Sequence, residues 1–554
     1  MLNTYPDSLG KNLSEMIEFL SMPEMKDVFQ SLYLMPSVFN SDIDRGYSII
    51  TYDLAEMVAT EEDFAKLRGM GFDMIFDFIL NHRSVLCPEF RDLLKNGDKS
   101  VYRDYFINWN EFWEGNGTMG EDGVMIPDAD KYDGDNRRRA GFPILMVRFP
   151  DGREVPYWNT FFQKVFYPKF DEFDLIDLVD GKYDVACALA KHINESTAKG
   201  LAPATLDWSG FEAYKDAVSD FMESRRRYLG QMDVNGKCPL VWEWFDSVLK
   251  KLSELGASLV RLDAVFALLK APGKRTNSQG AEAWALLNKI GDMAAKYGMD
   301  VLPENHSAHK TGAHRKQWEM GVPTYDYFLP VLLMDAMDLG DSQYVYGWAK
   351  EQIDAGVRCI NMLGHHDGIP LRDPRGALPD ERVDMAEKRM VERGGRRKCV
   401  HNGRDLENQE QLEAYQMDIA YYSAIGCDDD KLLLARAVQI FMPGKPQVWY
   451  QDLLAGENDL EVFERVPDAD NREINRHNYT MEEIKENLKR PVVQKQLELL
   501  RFRNTHPAFT NESKVAAAQP DGRTLVLRWE NGDAWAELKA DFGALTYEIS
   551  CSEA

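Results

Sequence analysis

The sequence predicts an α/β protein: a (β/α)8 TIM barrel with an enlarged inserted subdomain, a second loop insertion and a small C-terminal β domain. Three observations lead there. Short apolar runs alternate with helix-length amphipathic stretches, the rhythm of parallel strands joined by crossover helices. Eight such runs can be counted along the chain. Several of them end in a carboxylate, and a barrel of this type gathers the carboxyl ends of its strands at one mouth.

Residues 2–5 form the first short strand, closed by Pro6 and Asp7, and 11–27 read as a helix. Residues 28–35 are apolar enough for a second strand, followed by the polar loop Asp44-Arg45-Gly46-Tyr47. A helix over 61–70, closed by Gly71, leads to a third strand at 72–78, which runs into Asp77-Phe78-Ile79-Leu80-Asn81-His82. The alternation then stops. From Arg83 to about Trp244, aromatics, charges and Gly/Asp turns interleave, as in an inserted subdomain. A helix over 241–255 restores the rhythm, and the strand 258–262 ends in Asp263. Arg261 precedes that carboxylate by two residues, so strand alternation puts both side chains on one face. A guanidinium there would keep a nucleophilic carboxylate ionised, although a purely structural ion pair has the same signature.

The next helix covers 282–297, and the strand 299–304 ends in Glu304. Strands at 324–329 and 357–363 follow, the latter entering His365-His366-Asp367-Gly368. A polar insertion at 370–413 precedes a helix at 431–441 and a last strand at 447–450. Alternating patches in 525–548, such as Leu525-Val526-Leu527-Arg528-Trp529, suggest an all-β tail. The expected divisions are barrel over 1–83, 241–370 and 431–504, inserted subdomain over 84–240, loop subdomain over 371–430 and β domain over 505–554.

With 554 residues, 44% hydrophobic and 11% aromatic, the chain has the composition of a large globular protein. A formal charge of −26 argues against nucleic acid and anionic membranes as partners, since both need a basic footprint. Seven scattered cysteines do not make a disulfide framework, and the N-terminus lacks a basic, apolar leader. The expectation is a cytoplasmic protein with free thiols.

Asp77, Asp263, Glu304 and Asp367 would ring the barrel mouth. Glycoside chemistry uses such a set: one carboxylate attacks the anomeric carbon, one carboxylic acid protonates the leaving oxygen, and nearby negative charge steadies the oxocarbenium-like transition state. His82 and His366 could bind sugar hydroxyls, or be satisfied loop residues.

In order, Asp77-x-x-x-Asn81-His82, Arg261-x-Asp263-Ala264, Glu304 and His366-Asp367 resemble the motifs of the α-amylase superfamily of retaining α-glucosidases and transglucosidases. The resemblance narrows to the sucrose phosphorylase family. It rests on Thr4-Tyr5-Pro6-Asp7-Ser8-Leu9-Gly10, Pro443-Gly444-Lys445-Pro446-Gln447-Val448, Asn471-Arg472-Glu473-Ile474-Asn475-Arg476-His477 and Glu486-Asn487-Leu488-Lys489-Arg490-Pro491. It implies Asp263 as nucleophile, Glu304 as acid/base and Asp367 as transition-state stabiliser. It places Asp44, Tyr47, His82, Phe161, Gln231, Arg261, His366 and Arg472 around the glucosyl ring. On the acceptor side it places Arg139, Glu413, Tyr415 and Gln416, with inorganic phosphate as co-substrate and no cofactor.

Asn136 stands where these relatives usually carry tyrosine, and Glu413-Ala414 replaces an Asp-Leu pair. Sucrose is therefore expected to be a secondary substrate, with another α-glucoside preferred. Between Phe161 and Gln231 lies an extra segment, about 163–230, acidic and aromatic at first and then helix-like over 208–228. A solvated elaboration or an oligomer contact is its simplest reading, and a homodimer fits it.

His306, His309 and His314 invite a metal, but no carboxylate or thiol spacing supports one, so none is expected. Arg396-Arg397-Lys398 reads as a solvated face that could otherwise meet an anionic acceptor. The reading is a retaining α-glucoside phosphorylase giving α-glucose 1-phosphate. A hydrolase or transglucosidase of the same fold stays open, as does, less well, an inactive carbohydrate-binding barrel.

Overall fold

The structure is a computed structural model describing residues 1–132, 141–274, 280–399, 413–466 and 469–553. The parallel strands of the barrel are β1 (Leu2–Thr4), β2 (Ser31–Leu34), β3 (Asp73–Ile79), β4 (Ala257–Asp263), β5 (Asp300–Pro303), β6 (Tyr325–Asp326) and β7 (Cys359–Asn361). The eighth staves the barrel in two pieces, β8 (Gly444–Pro446) and β9 (Val448–Trp449). Hydrogen bonding runs β5-β4-β3-β2-β1-β9 in one sheet and β6-β7-β8 in another. Among the described residues no ladder joins β5 to β6, so the ring of strands is open there.

The helix Pro239–Leu255 shows how sequence sets this frame. Proline occupies its first turn, where a missing N–H costs nothing, and Val241, Phe245, Val248, Leu249 and Leu252 form its buried stripe. Gly256 ends it at φ +102, a conformation that strains any residue with a Cβ, which favours glycine at this tight entry into β4.

Sequence and structure part at several elements. The helix expected over 11–27 spans Leu13–Leu20, and Pro23 opens a separate short 3-10 turn. The strand expected over 324–329 shrinks to Tyr325–Asp326, because Pro330 sits in the first turn of the helix Leu329–Leu339.

The extra segment has its own architecture. Gln163–Phe166 pairs antiparallel with Arg227–Gly230, making a two-stranded stalk. The stalk carries a helical cap, with helices Tyr183–Thr197 and Lys215–Ser224, around a separate core that includes Phe170, Leu189, Ile193, Trp208 and Met222. The helix expected over 208–228 ends at Ser224, since Arg227 already belongs to the strand Arg227–Asp233.

The root of that strand is fastened to the barrel by a buried lysine. Lys270 Nζ lies 2.8 Å from Asp233 Oδ2 and donates to Asn81 Oδ1 at 2.7 Å, while Asn81 and Thr160 also donate to Asp233. In the second insertion, the strands Ile369–Pro370 and Arg396–Cys399 flank Ala414–Asp418. Four antiparallel strands, Lys514–Ala518, Thr524–Asn531, Ala534–Asp541 and Thr546–Cys551, complete the chain. All seven cysteines are free, and no helix among the described residues is long and apolar enough to cross a membrane.

Candidate active site

Register builds the site. In the parallel ladder Arg261 pairs with Asp77, and Leu262 with Pro303, so Asp263 and Glu304 emerge side by side. The Arg261 guanidinium, 2% exposed, then meets three carboxylates. Nη1 lies 2.7 Å from Asp77 and 2.6 Å from Asp263, and Nη2 lies 2.9 Å from Glu304. Tyr33 Oη donates to Asp77 at 3.0 Å. Ala264 adopts φ +46, a left-handed conformation that costs an alanine energy, and its N–H donates to Glu304 Oε2 at 2.9 Å. Backbone strain is thus placed where an amide is aimed at the Glu304 carboxyl.

Asp367 follows β7 across the mouth. Arg472 Nη1 holds it at 3.1 Å, His366 Nε2 at 3.2 Å and Arg476 Nη2 at 3.5 Å. Gly368 behind it has φ +96, and a Cβ there would stand 2.2 Å from Met417 O, so a side chain would expel the insertion strand from the site. Arg472 Nη2 also binds Asp44 at 2.5 Å, and Gln231 Nε2 donates to Asp44 at 3.3 Å. Asp44 and Arg45 both have positive φ, a second strained turn at this mouth. Tyr47 stacks on His366 and bonds its Nε2 at 2.9 Å. His82 bonds Tyr47 O at 3.0 Å and packs on Phe161. Eight binding residues expected from sequence therefore share one network with the three carboxyls.

The acceptor-side residues divide. Gln416 donates to the Asp367 carbonyl and, at 2.8 Å, to Asp418. Tyr415 lies beneath the Arg372 guanidinium, 5.9 Å from its ring centre. Glu413 stands apart, largely exposed and 3.4 Å from Arg375. Arg139 and Asn136 lie outside the described residues.

Electrostatics distinguish the carboxyls. Burial and the neighbouring Glu304, Asp77 and Asp367 push Asp263 well above the ordinary carboxylate range, against the pull of Arg261. Burial also acts to raise Glu304, but Arg261 and His306 outweigh it and hold it low. The sequence reading had Arg261 keeping Asp263 ionised. That guanidinium is divided among three partners, so its pull on Asp263 alone does not offset burial and the neighbouring carboxylates. Burial works against Asp367's charge too, yet His366 and Arg472 keep it well below the usual range. Burial lowers His82 to about 4, leaving it neutral.

Sequence reasoning passed over several participants. His306 Nε2 lies 3.5 Å from Glu304, and its Nδ1 lies 3.2 Å from Asp373. Burial opposes its charge, but Asp373 and Glu304 lift its pKa to about 10. Its position two residues after Glu304 was the available signal. Arg476 also lay in a recognised segment, but nothing local reveals that its Nε donates to His366 O at 2.7 Å.

The histidines weighed for a metal do acquire a carboxylate. Glu351 receives His309 at 2.8 Å and His314 at 3.1 Å, and these ligand atoms lie within 4.8 Å of one another. Arg315 shares the same carboxylate at 2.7 Å, so its oxygens already have partners.

A barrel whose strand ends present paired carboxyls on one arginine, a third clamped by arginine and histidine, and a surrounding ring of polar and aromatic side chains has the constellation of an enzyme acting on glycosides. No protein-family model matches the chain. It is 38% identical to the sucrose 6(F)-phosphate phosphorylase of Ilumatobacter coccineus, over 99% of this chain and 95% of that one. It is 29% identical to the sucrose phosphorylase of Streptococcus mutans, over 99% and 97% of the two chains. The crystal structure of sucrose 6F-phosphate phosphorylase from Thermoanaerobacter thermosaccharolyticum superposes with a TM-score of 0.79 at 29% identity, covering 100% of this chain and 95% of that one. The chain belongs to the sucrose phosphorylase family.

Proposed function

We propose that the protein is a retaining α-glucoside phosphorylase whose preferred donor is sucrose bearing a phosphate on its fructosyl unit. The carrying observation is the pair Asp263 and Glu304 on neighbouring nitrogens of one guanidinium. Two carboxyls gathered on one guanidinium suit the retaining arrangement, whose carboxyls stand about 5 Å apart.

Asp263 attacks the anomeric carbon while Glu304, as the acid of the pair, protonates the departing oxygen. Asp367, kept charged by His366 and Arg472, faces the developing oxocarbenium ion. Asp44, Arg472, Tyr47 and His82 grip the ring. Phosphate then attacks the glucosyl-enzyme from the vacated side, Glu304 takes its proton, and double inversion gives α-glucose 1-phosphate.

Two observations favour a phosphorylated leaving group. The 38% relative is named for sucrose 6(F)-phosphate and the sucrose phosphorylase stands at 29%. Two half-buried cations also flank the strand that carries Tyr415 and Gln416. Arg372 lies over the Tyr415 ring, and Lys398 sits opposite Gln416 in register, where its charge also acts on Asp418 and Asp470. Planar guanidinium suits a phosphate ester.

The test runs the reaction backwards. With α-glucose 1-phosphate as donor, phosphate release should be fastest with fructose 6-phosphate and slower with fructose, glycerol or glycerate. Release with water alone at the same rate would make the protein a hydrolase.

A further inference from the structure

The stalk of the inserted segment closes a cavity that the glycosidic chemistry does not use. Its volume is about 700 Å³. It lies where the stalk leans against the subdomain strand Ile144–Arg148 and the helix Pro88–Asn96. Its floor is apolar, from Leu86, Leu94, Phe149, Phe166, Tyr228 and Leu229. Its polar lining is cationic: Arg91, Arg148, Arg226 and Arg227 against one carboxylate, Glu223. Arg226 is neutralised, bound to Glu154 at 2.6 Å and Glu223 at 3.0 Å. Arg91, Arg148 and Arg227 have no ion pair or side-chain hydrogen bond among the described residues. In a chain of net charge −26, three uncommitted guanidinium groups around an apolar hollow are a local reversal of sign. Cavities of this size, apolar with a few convergent polar groups, are the usual form of a small-molecule site.

We propose that this cavity binds a small amphipathic phosphate, a flat apolar body seated on Phe149, Phe166 and Leu94 with its anion held by Arg148 and Arg227. The backbone links the cavity to the active site. Arg227, Tyr228 and Leu229 belong to the strand that continues into Gln231, which holds Asp44. On the neighbouring strand, Val85 and Leu86 follow His82–Ser84, and Val85 N donates to Gly230 O at 2.9 Å. A ligand that fixes the stalk thereby fixes Gln231 and His82, so its occupancy is read as a change in donor KM. The extra segment supplies Phe166, Glu223, Arg226, Arg227, Tyr228 and Leu229, which gives that segment a binding role.

The experiment uses the full chain, with 4-nitrophenyl phosphate and adenosine 5′-monophosphate as probes in isothermal titration calorimetry. α-Glucose 1-phosphate at saturation keeps the catalytic site filled. At least one probe should bind once per chain, and Arg148→Gln/Arg227→Gln should weaken it by about tenfold or more, because each lost partner made a charge-assisted hydrogen bond. Arg148→Lys/Arg227→Lys should retain most of the binding, and phosphorolysis by the glutamine variant without probe should stay near wild type. Absence of binding by both probes, binding that the glutamine variant keeps, or binding abolished by α-glucose 1-phosphate would each overturn the proposal. None of these readouts depends on which donor the catalytic site prefers.

Discussion

Arg261→Gln removes the one positive charge that three buried carboxylates share, at 2.7, 2.6 and 2.9 Å from Asp77, Asp263 and Glu304. Removing one partner of a buried ion pair costs about 3–5 kcal/mol, because the other charge stays desolvated without compensation. The loss should depend on pH in a definite direction. Burial already raises Asp77 and Asp263 against the pull of Arg261. Without that pull, their folded pKa values move further above the unfolded ones. The folded variant then holds protons that the unfolded chain releases, so its stability falls as pH rises above the ordinary carboxylate range and recovers as pH drops towards it. Arg261 also holds Glu304 low, a contribution lost at any pH above the ordinary carboxylate range, so urea unfolding of both proteins should show a gap already present near about pH 5 that widens towards about pH 8. A gap that ignores pH, or one below about 1 kcal/mol near about pH 8, would refute the reasoning, since it would mean that the carboxylates do not depend on this guanidinium.

Asp263→Ala should lose turnover by orders of magnitude while keeping its thermal midpoint, whereas Glu304→Gln should spare a glucosyl fluoride donor, which needs no protonation. Equal loss on both donors would count against Glu304 as the acid. His306→Gln removes a cation that lowers Glu304. The acid then stays protonated to higher pH, and the alkaline limb of kcat should move upward; a downward move would reverse the assignment. His306 is raised in the folded state to about 10, so its stabilising effect is fully present below its unfolded pKa and lost as pH rises through about 10. Lys270→Met leaves the buried Asp233 unpaired and should cost about 3–5 kcal/mol, read as early proteolysis within the inserted subdomain.

What the sequence disclosed follows from the range of the interactions. Arg261 and Asp263 lie two residues apart on one strand, so their shared face is legible from period 2 alone. The glucosyl-side residues were legible through short segments that resemble those of a known family, not through their local geometry: Gln231 lies within the strand Arg227–Asp233 and Arg472 within the 3-10 helix Asn471–Asn475. Contacts between distant segments were not. Asp373 on His306, Glu351 between two histidines, and Lys270 on Asp233 arise only when loops meet. The inserted segment showed the same limit: its composition gave helices but could not show that Gln163–Phe166 and Arg227–Gly230 pair into a stalk. Short strands were misjudged where proline chose the helix start, as at Pro330.

The central claim is that phosphate, not water, receives a glucosyl group carried through a covalent intermediate. Proton and phosphorus NMR of the reaction with sucrose 6F-phosphate in phosphate buffer tests it directly. The account predicts α-glucose 1-phosphate as the first product, formed at a rate that rises with phosphate and vanishes in Asp263→Ala. The β-anomer, or free glucose formed at a rate indifferent to phosphate, would contradict it.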